Sequence, residues 1–188
     1  MRNIIVVIVF MLISVFANAQ SNEVALTGGG YFAAGNPLDL GVAWAIEGSV
    51  AHRVFGVPFI SIYGELPIAG SFSSSIPTLN GLTVAKNYNS LFITPGVRLR
   101  IWPSFPISPY LAAGVGYSRF NRTLFDGTTS VDNGFAWDVG GGLDVKVLPY
   151  ISLVGEVRDF NSGDLGLESL ATGRQNNVFV TGGVALRF

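Results

Sequence analysis

The chain has 188 residues, of which 49% are hydrophobic and 12% are charged, whereas about 25% of residues are charged in an average soluble protein. It contains no cysteine, which excludes disulfides, cysteine-ligated metal sites and a lipidated cysteine. The net charge is −1 and the basic residues are scattered along the chain, so we expect no nucleic-acid partner.

The N-terminal segment has the pattern of a secretory signal peptide. Arg2 supplies a positive start, residues 4–13 form an apolar run, and Ala17-Asn18-Ala19 is a small-residue cleavage site. The apolar run is shorter than the roughly 20 residues of a transmembrane helix, although a retained anchor helix is the alternative. We predict a cleaved signal peptide over 1–19 and a single domain over 20–188.

Eight segments after the signal peptide alternate between apolar residues and small or polar ones, which is the period of a β-strand. Turn residues separate the segments, and no helical stretch is predicted. Pro95 lies inside the fourth segment, where it requires a bulge or a locally weak ladder. The segments are 23–33, 40–52, 59–69, 90–102, 109–119, 135–147, 150–160 and 177–188.

The charged residues test this alternation. When the more apolar register of each segment is taken as one face, the interior charges fall on the opposite face. Arg119 and Asp159 break the rule, and both lie at segment ends where water or headgroups can solvate them. The predicted lumen charges are Glu47, Glu65, Arg98, Arg100, Asp138, Asp144, Lys146, Glu156, Arg158 and Arg187.

A soluble sandwich or lipocalin-like barrel would also have one polar face, but three features favour a membrane. The polar face consists mostly of Gly, Ala, Ser and Thr, which suits a narrow lumen. The predicted connections are short at one end (53–58, 103–108, 148–149) and mostly long at the other (34–39, 70–89, 120–134, 161–176). Aromatic residues gather at segment ends, as they do at membrane–water interfaces. They are Tyr31, Phe32, Trp102, Tyr110, Tyr117, Phe120, Phe135, Trp137, Tyr150, Phe160 and Phe188.

Two stretches resemble a known family. The ending Val184-Ala185-Leu186-Arg187-Phe188 is similar to the C-terminal signal by which outer-membrane proteins reach their assembly machinery, with Val184, Leu186 and Phe188 as the residues concerned. The run from Pro109 to Tyr117 is similar to a strand of OmpA-, OmpX- and OmpW-like small barrels. The resemblance implies an all-β, eight-stranded antiparallel up-and-down transmembrane β-barrel in the outer membrane of a Gram-negative bacterium. Function is implied only weakly, because these barrels include anchors, adhesins, narrow channels and enzymes.

No cofactor, metal or catalytic site is predicted. The glycine runs 28–30 and 140–142 do not precede helices, so they are not phosphate loops. His52 is the single histidine, and it falls at the periplasmic end of its segment. Related barrels that modify lipid A use a histidine near the outer leaflet, with Ser and an acid beside it, an arrangement that cannot be built around His52.

The leading hypothesis is a non-enzymatic barrel with a closed, charge-paired lumen, because eight strands leave an interior just wide enough for side chains. Its expected partners are outer-membrane lipid, the assembly machinery and a possible surface ligand at the long outer loops. The alternative is a narrow channel for ions or small apolar solutes, as in OmpW-like proteins. A lipid-modifying barrel enzyme is the second alternative.

Overall fold

The computed structural model describes residues 21–34, 42–73, 78–79, 82–83, 87–123, 129–162 and 175–188. The predicted signal peptide and much of the predicted outer loops 34–39, 70–89 and 161–176 lie outside these residues. Within them, no helix is long and apolar enough to cross a membrane. The strands are β1 (Asn22–Ala34), β2 (Val42–Val57), β3 (Ile60–Ser73), β4 (Thr78–Leu79), β5 (Leu82–Thr83), β6 (Asn87–Ile93), β7 (Gly96–Ile101), β8 (Ile107–Thr123), β9 (Thr129–Leu148), β10 (Ile151–Ser162) and β11 (Gln175–Arg187).

The strands close into an antiparallel barrel. Neighbouring strands of the barrel are antiparallel, with β3 paired to β2 on one side and to β6 and β7 on the other. β1 pairs with both β2 and β11, so the sheet has no free edge. β6 and β7 are two halves of one barrel strand, since both lie between β3 and β8. The barrel therefore has eight strands, and β4 with β5 forms a separate two-stranded hairpin. The predicted eight-stranded up-and-down topology is confirmed.

The two ends of the barrel differ in their connections. At one end, called here the turn end, the strands are joined through 58–59, 102–106 and 149–150. At the opposite end, called the loop end, they are joined through 35–41, 74–86, 124–128 and 163–174. Residues Asn22 and Phe188 meet at the turn end, where each backbone N–H donates to the other's carbonyl at 3.0 Å.

Several strands extend further than the sequence predicts. β2 continues to Val57 through a register shift between Arg53 and Phe55, so the predicted turn 53–58 is wrong and the connection is only 58–59. β8 and β9 continue their pairing to Thr123 and Thr129, which reduces the predicted loop 120–134 to 124–128. Backbone hydrogen bonds extend a ladder without any apolar alternation, so the sequence pattern ends before the strands do.

The predicted weak point at Pro95 is present. Its strand divides at Thr94 and Pro95, where the missing proline N–H interrupts the ladder. The register is unchanged across the break, because Ile93 pairs with Tyr117 and Gly96 with Gly114. The backbones approach so closely here that a Cβ on Gly116 would lie 2.0 Å from the carbonyl oxygen of Ile93. Only glycine fits this position.

The outer surface of the barrel is apolar, with aromatic side chains exposed near both ends. This distribution is typical of a membrane-spanning barrel. The aromatic residues exposed near the loop end are Phe32, Trp44, Phe72, Tyr117 and Phe135. Near the turn end they are Phe55, Phe59, Trp102, Phe105 and Tyr150.

Four predicted interfacial aromatics point into the lumen instead: Tyr31, Tyr110, Phe120 and Phe160 are all buried. Their position along the strands explains this, because side chains alternate between the two faces. Phe160 is two residues from the buried Arg158 and therefore points to the same face of its strand. Tyr31 points to the face opposite that of its exposed neighbour Phe32. Assigning these rings to the interface was wrong.

Candidate functional site in the barrel lumen

The strands bring most of the predicted lumen charges into one buried cluster. Charged residues two apart on the same strand share a face, as Arg98 and Arg100 do on β7 and Glu156 and Arg158 do on β10. Arg187 is 11% exposed at the turn end, and Lys146 is also only partly buried. The fully buried predicted charges are Glu47, Glu65, Arg98, Arg100, Asp138, Asp144, Glu156 and Arg158.

Near the turn end the cluster centres on an acid that the sequence reasoning missed. Glu23 is 2% exposed and lies 2.7 Å from a guanidinium nitrogen of Arg98, 2.7 Å from Arg100 and 2.9 Å from Arg187. Asp144 pairs with the last two of these arginines, at 3.2 Å from Arg100 and in close contact with Arg187. The alternation could have predicted Glu23, because it lies on the same strand face as the small residue Ala25 and opposite the apolar Val24.

Halfway along the lumen, four acids share two arginines as ion-pair partners. Glu65 contacts both Arg98 and Arg158. Glu156 lies 2.5 Å from Nε of Arg158 and also accepts a hydrogen bond of 2.5 Å from the hydroxyl of Tyr110. The remaining two acids lie further away, since Asp138 is 3.5 Å and Glu47 is 3.8 Å from Nη1 of Arg158.

Tyrosine rings hold two of the guanidinium groups in place. Arg98 lies over the ring of Tyr110, 4.6 Å from its centroid, and Arg100 lies over Tyr63 at 4.7 Å. The Tyr63 hydroxyl also accepts a hydrogen bond of 3.1 Å from Arg100. Such stacking favours a desolvated cation. These contacts hold the two arginines beside acids that come from other strands of the barrel.

The ion-pair layer is the name used below for the buried charges just described. Lys146 lies at its turn-end margin, where its ammonium group donates to the carbonyl of Pro103. The members of the ion-pair layer are Glu23, Glu47, Glu65, Arg98, Arg100, Asp138, Asp144, Glu156, Arg158 and Arg187.

Above the ion-pair layer, toward the loop end, lies an aromatic layer formed by Tyr31, Phe92, Phe120, Phe160 and Phe179. Phe92 stacks on Phe160 with centroids 4.8 Å apart and meets Phe120 edge-on at 5.6 Å. Phe179 meets Phe160 edge-on at 5.0 Å. All five rings are at most 2% exposed, and small alanines on the facing strands make room for them.

The single histidine lies away from both layers. His52 is exposed on the turn-end half of β2, and its Nδ1 lies 2.8 Å from the side-chain oxygen of Asn22. In the described part of the chain, no group of three or more His, Cys, Asp or Glu side chains is arranged to hold a metal ion.

The predicted assembly residues lie on the strand that closes the barrel. Val184 and Leu186 point outward from β11 and are 46% and 50% exposed, and Phe188 follows the strand directly. β11 pairs with β1 from Asn176 to Arg187. A role of these residues in recognition by the assembly machinery stays a prediction.

Comparison with known proteins supports the fold through structure alone. No protein-family model matches the chain, and no curated protein sequence matches it. Neisserial surface protein A (NspA) superimposes with a TM-score of 0.67 at 16% identity, over 91% of this chain and 99% of NspA. A major outer membrane protein from Thermus thermophilus gives 0.59 at 16% identity, over 91% of this chain and 100% of the other. The outer membrane enzyme PagL gives 0.53 at 13% identity, over 89% and 100%.

These matches show that the chain has the fold of small outer-membrane β-barrels. Each match extends over nearly the whole of the partner chain. A surface protein and an enzyme share this fold, so the fold does not determine the activity.

Proposed function

We propose that this protein is a non-enzymatic outer-membrane barrel with a closed lumen, which acts structurally or through partners that bind at its loop end. One observation carries the proposal: the lumen is occupied by the ion-pair layer and, above it, by the aromatic layer. Side chains from every barrel strand contribute to one layer or the other. With the interior filled, the surfaces left for interaction are the lipid-facing wall and the two ends.

The outer surface supports a location in a bacterial outer membrane. Large apolar side chains such as Trp44 (79% exposed) and Leu111 (59% exposed) cover the wall, and water would make such a continuous surface unfavourable. Lipid chains are the partner that this surface fits, with the exposed aromatics at the level of the headgroups. Export through the predicted signal peptide and insertion through the C-terminal strand complete the proposed route.

The lumen charges also make a narrow ion channel the second candidate, because charged rings line selective pores. In the closed barrel, however, each arginine is held by two or more acids, and Phe92 and Phe160 lie above them. An ion would have to break several buried pairs and displace stacked rings. We therefore expect no steady current.

Single-channel conductance of the refolded protein in a planar bilayer tests the proposal. Insertion is confirmed separately, by the shift in gel mobility of the unheated protein extracted from the same lipid. A silent bilayer with inserted protein supports the closed lumen. Discrete, reproducible current steps would overturn it, and a change of ion selectivity in Arg98→Ala would then assign the current to the lumen.

The position of His52 supports the non-enzymatic part of the proposal. A lipid-modifying site needs a nucleophile or base beside its orienting acid. His52 lies at the turn end and is hydrogen-bonded to Asn22, an amide, rather than to a carboxylate. We therefore propose that His52 takes no part in a lipid-modifying reaction at the loop end.

A further inference from the structure

A small polar patch follows the apolar part of the outer wall at the loop end of β8. The outward residues of β8 carry no charge from Ile107 to Tyr117, and this stretch has about the length of 9–11 residues with which a tilted strand crosses the hydrocarbon layer. The next outward residue is Arg119, which is exposed. It therefore lies just beyond Tyr117, at the level where lipid headgroups begin.

Two asparagine side chains flank Arg119 on the same outer face. Asn133 is its direct cross-strand partner on β9, and Asn121 is two residues further along β8. The Cβ atoms of directly opposed residues lie about 4.5–5.5 Å apart, so these side chains can bind one small group of atoms together. β6 and β8 contain no acid, and the acids of β9 alternate with its outward residues, on the lumen face. The outer polar patch is the name used below for Arg119, Asn121 and Asn133.

The hydrogen bonds within the outer polar patch occupy its acceptors and leave its donors. Nε of Arg119 donates to the side-chain oxygen of Asn121 at 3.4 Å, and the hydroxyl of Tyr117 donates to the side-chain oxygen of Asn133 at 2.5 Å. Among the described residues, the Nη atoms of Arg119 and the two amide nitrogens have no hydrogen-bond partner. The groups left to bind a ligand are all hydrogen-bond donors, and one of them is a cation.

We propose that the outer polar patch binds the phosphate monoester of a lipid headgroup. A guanidinium group binds phosphate oxygens through paired N–H donors, and a phosphate monoester presents three acceptor oxygens to the three donor groups. The patch adjoins the exposed rings of Tyr117 and Phe135 on the lipid-facing wall, so the phosphate is that of a lipid rather than a free ion. The inference rests on the proposed location in an outer membrane and names the lipid chemistry that the barrel recognises there.

The test compares the folding equilibrium constant in vesicles of three compositions: phosphatidylcholine alone, phosphatidylcholine with phosphatidic acid, and phosphatidylcholine with phosphatidylglycerol. Phosphatidic acid carries a phosphate monoester, whereas the phosphate of phosphatidylglycerol is a diester with two free oxygens. A ligand that binds only the folded state stabilises it. Phosphatidic acid should therefore raise the folding equilibrium constant about fivefold, the upper end for an exposed ion pair, and phosphatidylglycerol should raise it less. An equal rise with both lipids would overturn the assignment of a monoester.

Three variants separate the outer polar patch from the general charge of the protein. In phosphatidylcholine alone, Arg119→Met should unfold like the unaltered chain, but it should lose the rise that phosphatidic acid causes. Asn133→Leu keeps the cation and removes one amide donor, so it should lower the rise as well. Arg53→Met is the matched control and should keep the rise, because Arg53 is exposed at the turn end and its strand partner Tyr63 faces the lumen. A full rise in Asn133→Leu, or its loss in Arg53→Met, would overturn the site.

Electron spin resonance of phosphatidic acid with a spin label near its headgroup measures the same contact without unfolding. The motionally restricted fraction of this lipid should exceed that of labelled phosphatidylcholine for the unaltered chain, and Arg119→Met should make the two fractions equal. Equal fractions for the unaltered chain refute the site. The shift in gel mobility separates the two ideas: an inserted barrel without this preference rejects the phosphate site alone, whereas failure to insert rejects the proposed membrane location on which the site rests.

Discussion

Replacing Arg98 by methionine is the sharpest test of a closed lumen. Arg98 is 1% exposed and contacts both Glu23, at 2.7 Å, and Glu65. Methionine retains most of the apolar volume of the side chain, so the substitution removes the charge and its hydrogen bonds without creating a large cavity. The two acids keep other arginines, but the excess of carboxyl groups over guanidinium groups in the layer grows by one.

The size of the effect depends on whether water reaches the cluster. Breaking a buried ion pair by removing one partner costs about 3–5 kcal/mol, because the other charge stays desolvated. In a water-filled lumen the same pair would be worth about 0.2–1 kcal/mol, as exposed pairs are. We expect the larger loss, since the acids that contact Arg98 are themselves at most 6% exposed.

The assay is urea unfolding of the refolded protein in phosphatidylcholine vesicles, followed by tryptophan fluorescence. Arg119→Met is the matched control, because Arg119 is exposed on the outer face near the loop end of β8; it should change the free energy of unfolding by less than about 0.5 kcal/mol. A loss below about 1 kcal/mol for Arg98→Met, with an unchanged dependence on urea, would refute the closed lumen.

Three further substitutions probe other parts of the molecule. Phe92→Ala should lower the free energy of unfolding by about 3–5 kcal/mol in the same titration, whereas Phe135→Ala, which is 64% exposed on the outer wall, should cost less. Gly116→Ala should prevent the shift in gel mobility that marks a folded barrel, because its Cβ would lie 2.0 Å from a carbonyl oxygen; Gly155→Ala meets nothing within 4 Å and should fold. His52→Ala should leave the lipid A profile of the host unchanged in mass spectrometry, and an altered profile would contradict the non-enzymatic proposal.

The fold could be predicted because the two-residue alternation of apolar and polar side chains indicates both where a strand runs and which side chains face the lumen. In β7, Arg98 and Arg100 alternate with Val97 and Leu99, and this pattern alone assigns the charges to the lumen. Strand ends were less predictable. The paired residues of β8 and β9 beyond Phe120 are mostly polar on both faces, so no alternation marks them, and the backbone ladder that extends the hairpin leaves no trace in composition.

The aromatic layer could not be recognised from composition, because aromatic residues occur both at membrane interfaces and in cores. The strand face on which each ring lies would have distinguished interfacial aromatics from lumen aromatics. Phe160 and Phe179 are each two residues from a lumen-facing residue, Arg158 and Thr181 respectively. Phe135 is four residues from the outward Val139 and lies on the same face as that residue. The ion pairs were also beyond sequence reasoning, since their partners lie on strands far apart in the chain, as Glu65 and Arg158 do.

The two layers of the lumen strengthen one another. The rings of the aromatic layer cover the loop-end side of Arg158, whose guanidinium lies 6.0 Å from the ring centroid of Phe160. By excluding water on that side they lower the local dielectric, which makes each ion pair stronger and each unpaired carboxyl more costly. The ion pairs in turn hold the facing walls of the barrel at a spacing that lets the rings stack. Opening the lumen for an ion would require several of these contacts to break together, which is the physical reason for the proposal that the protein acts at its surfaces rather than along its axis.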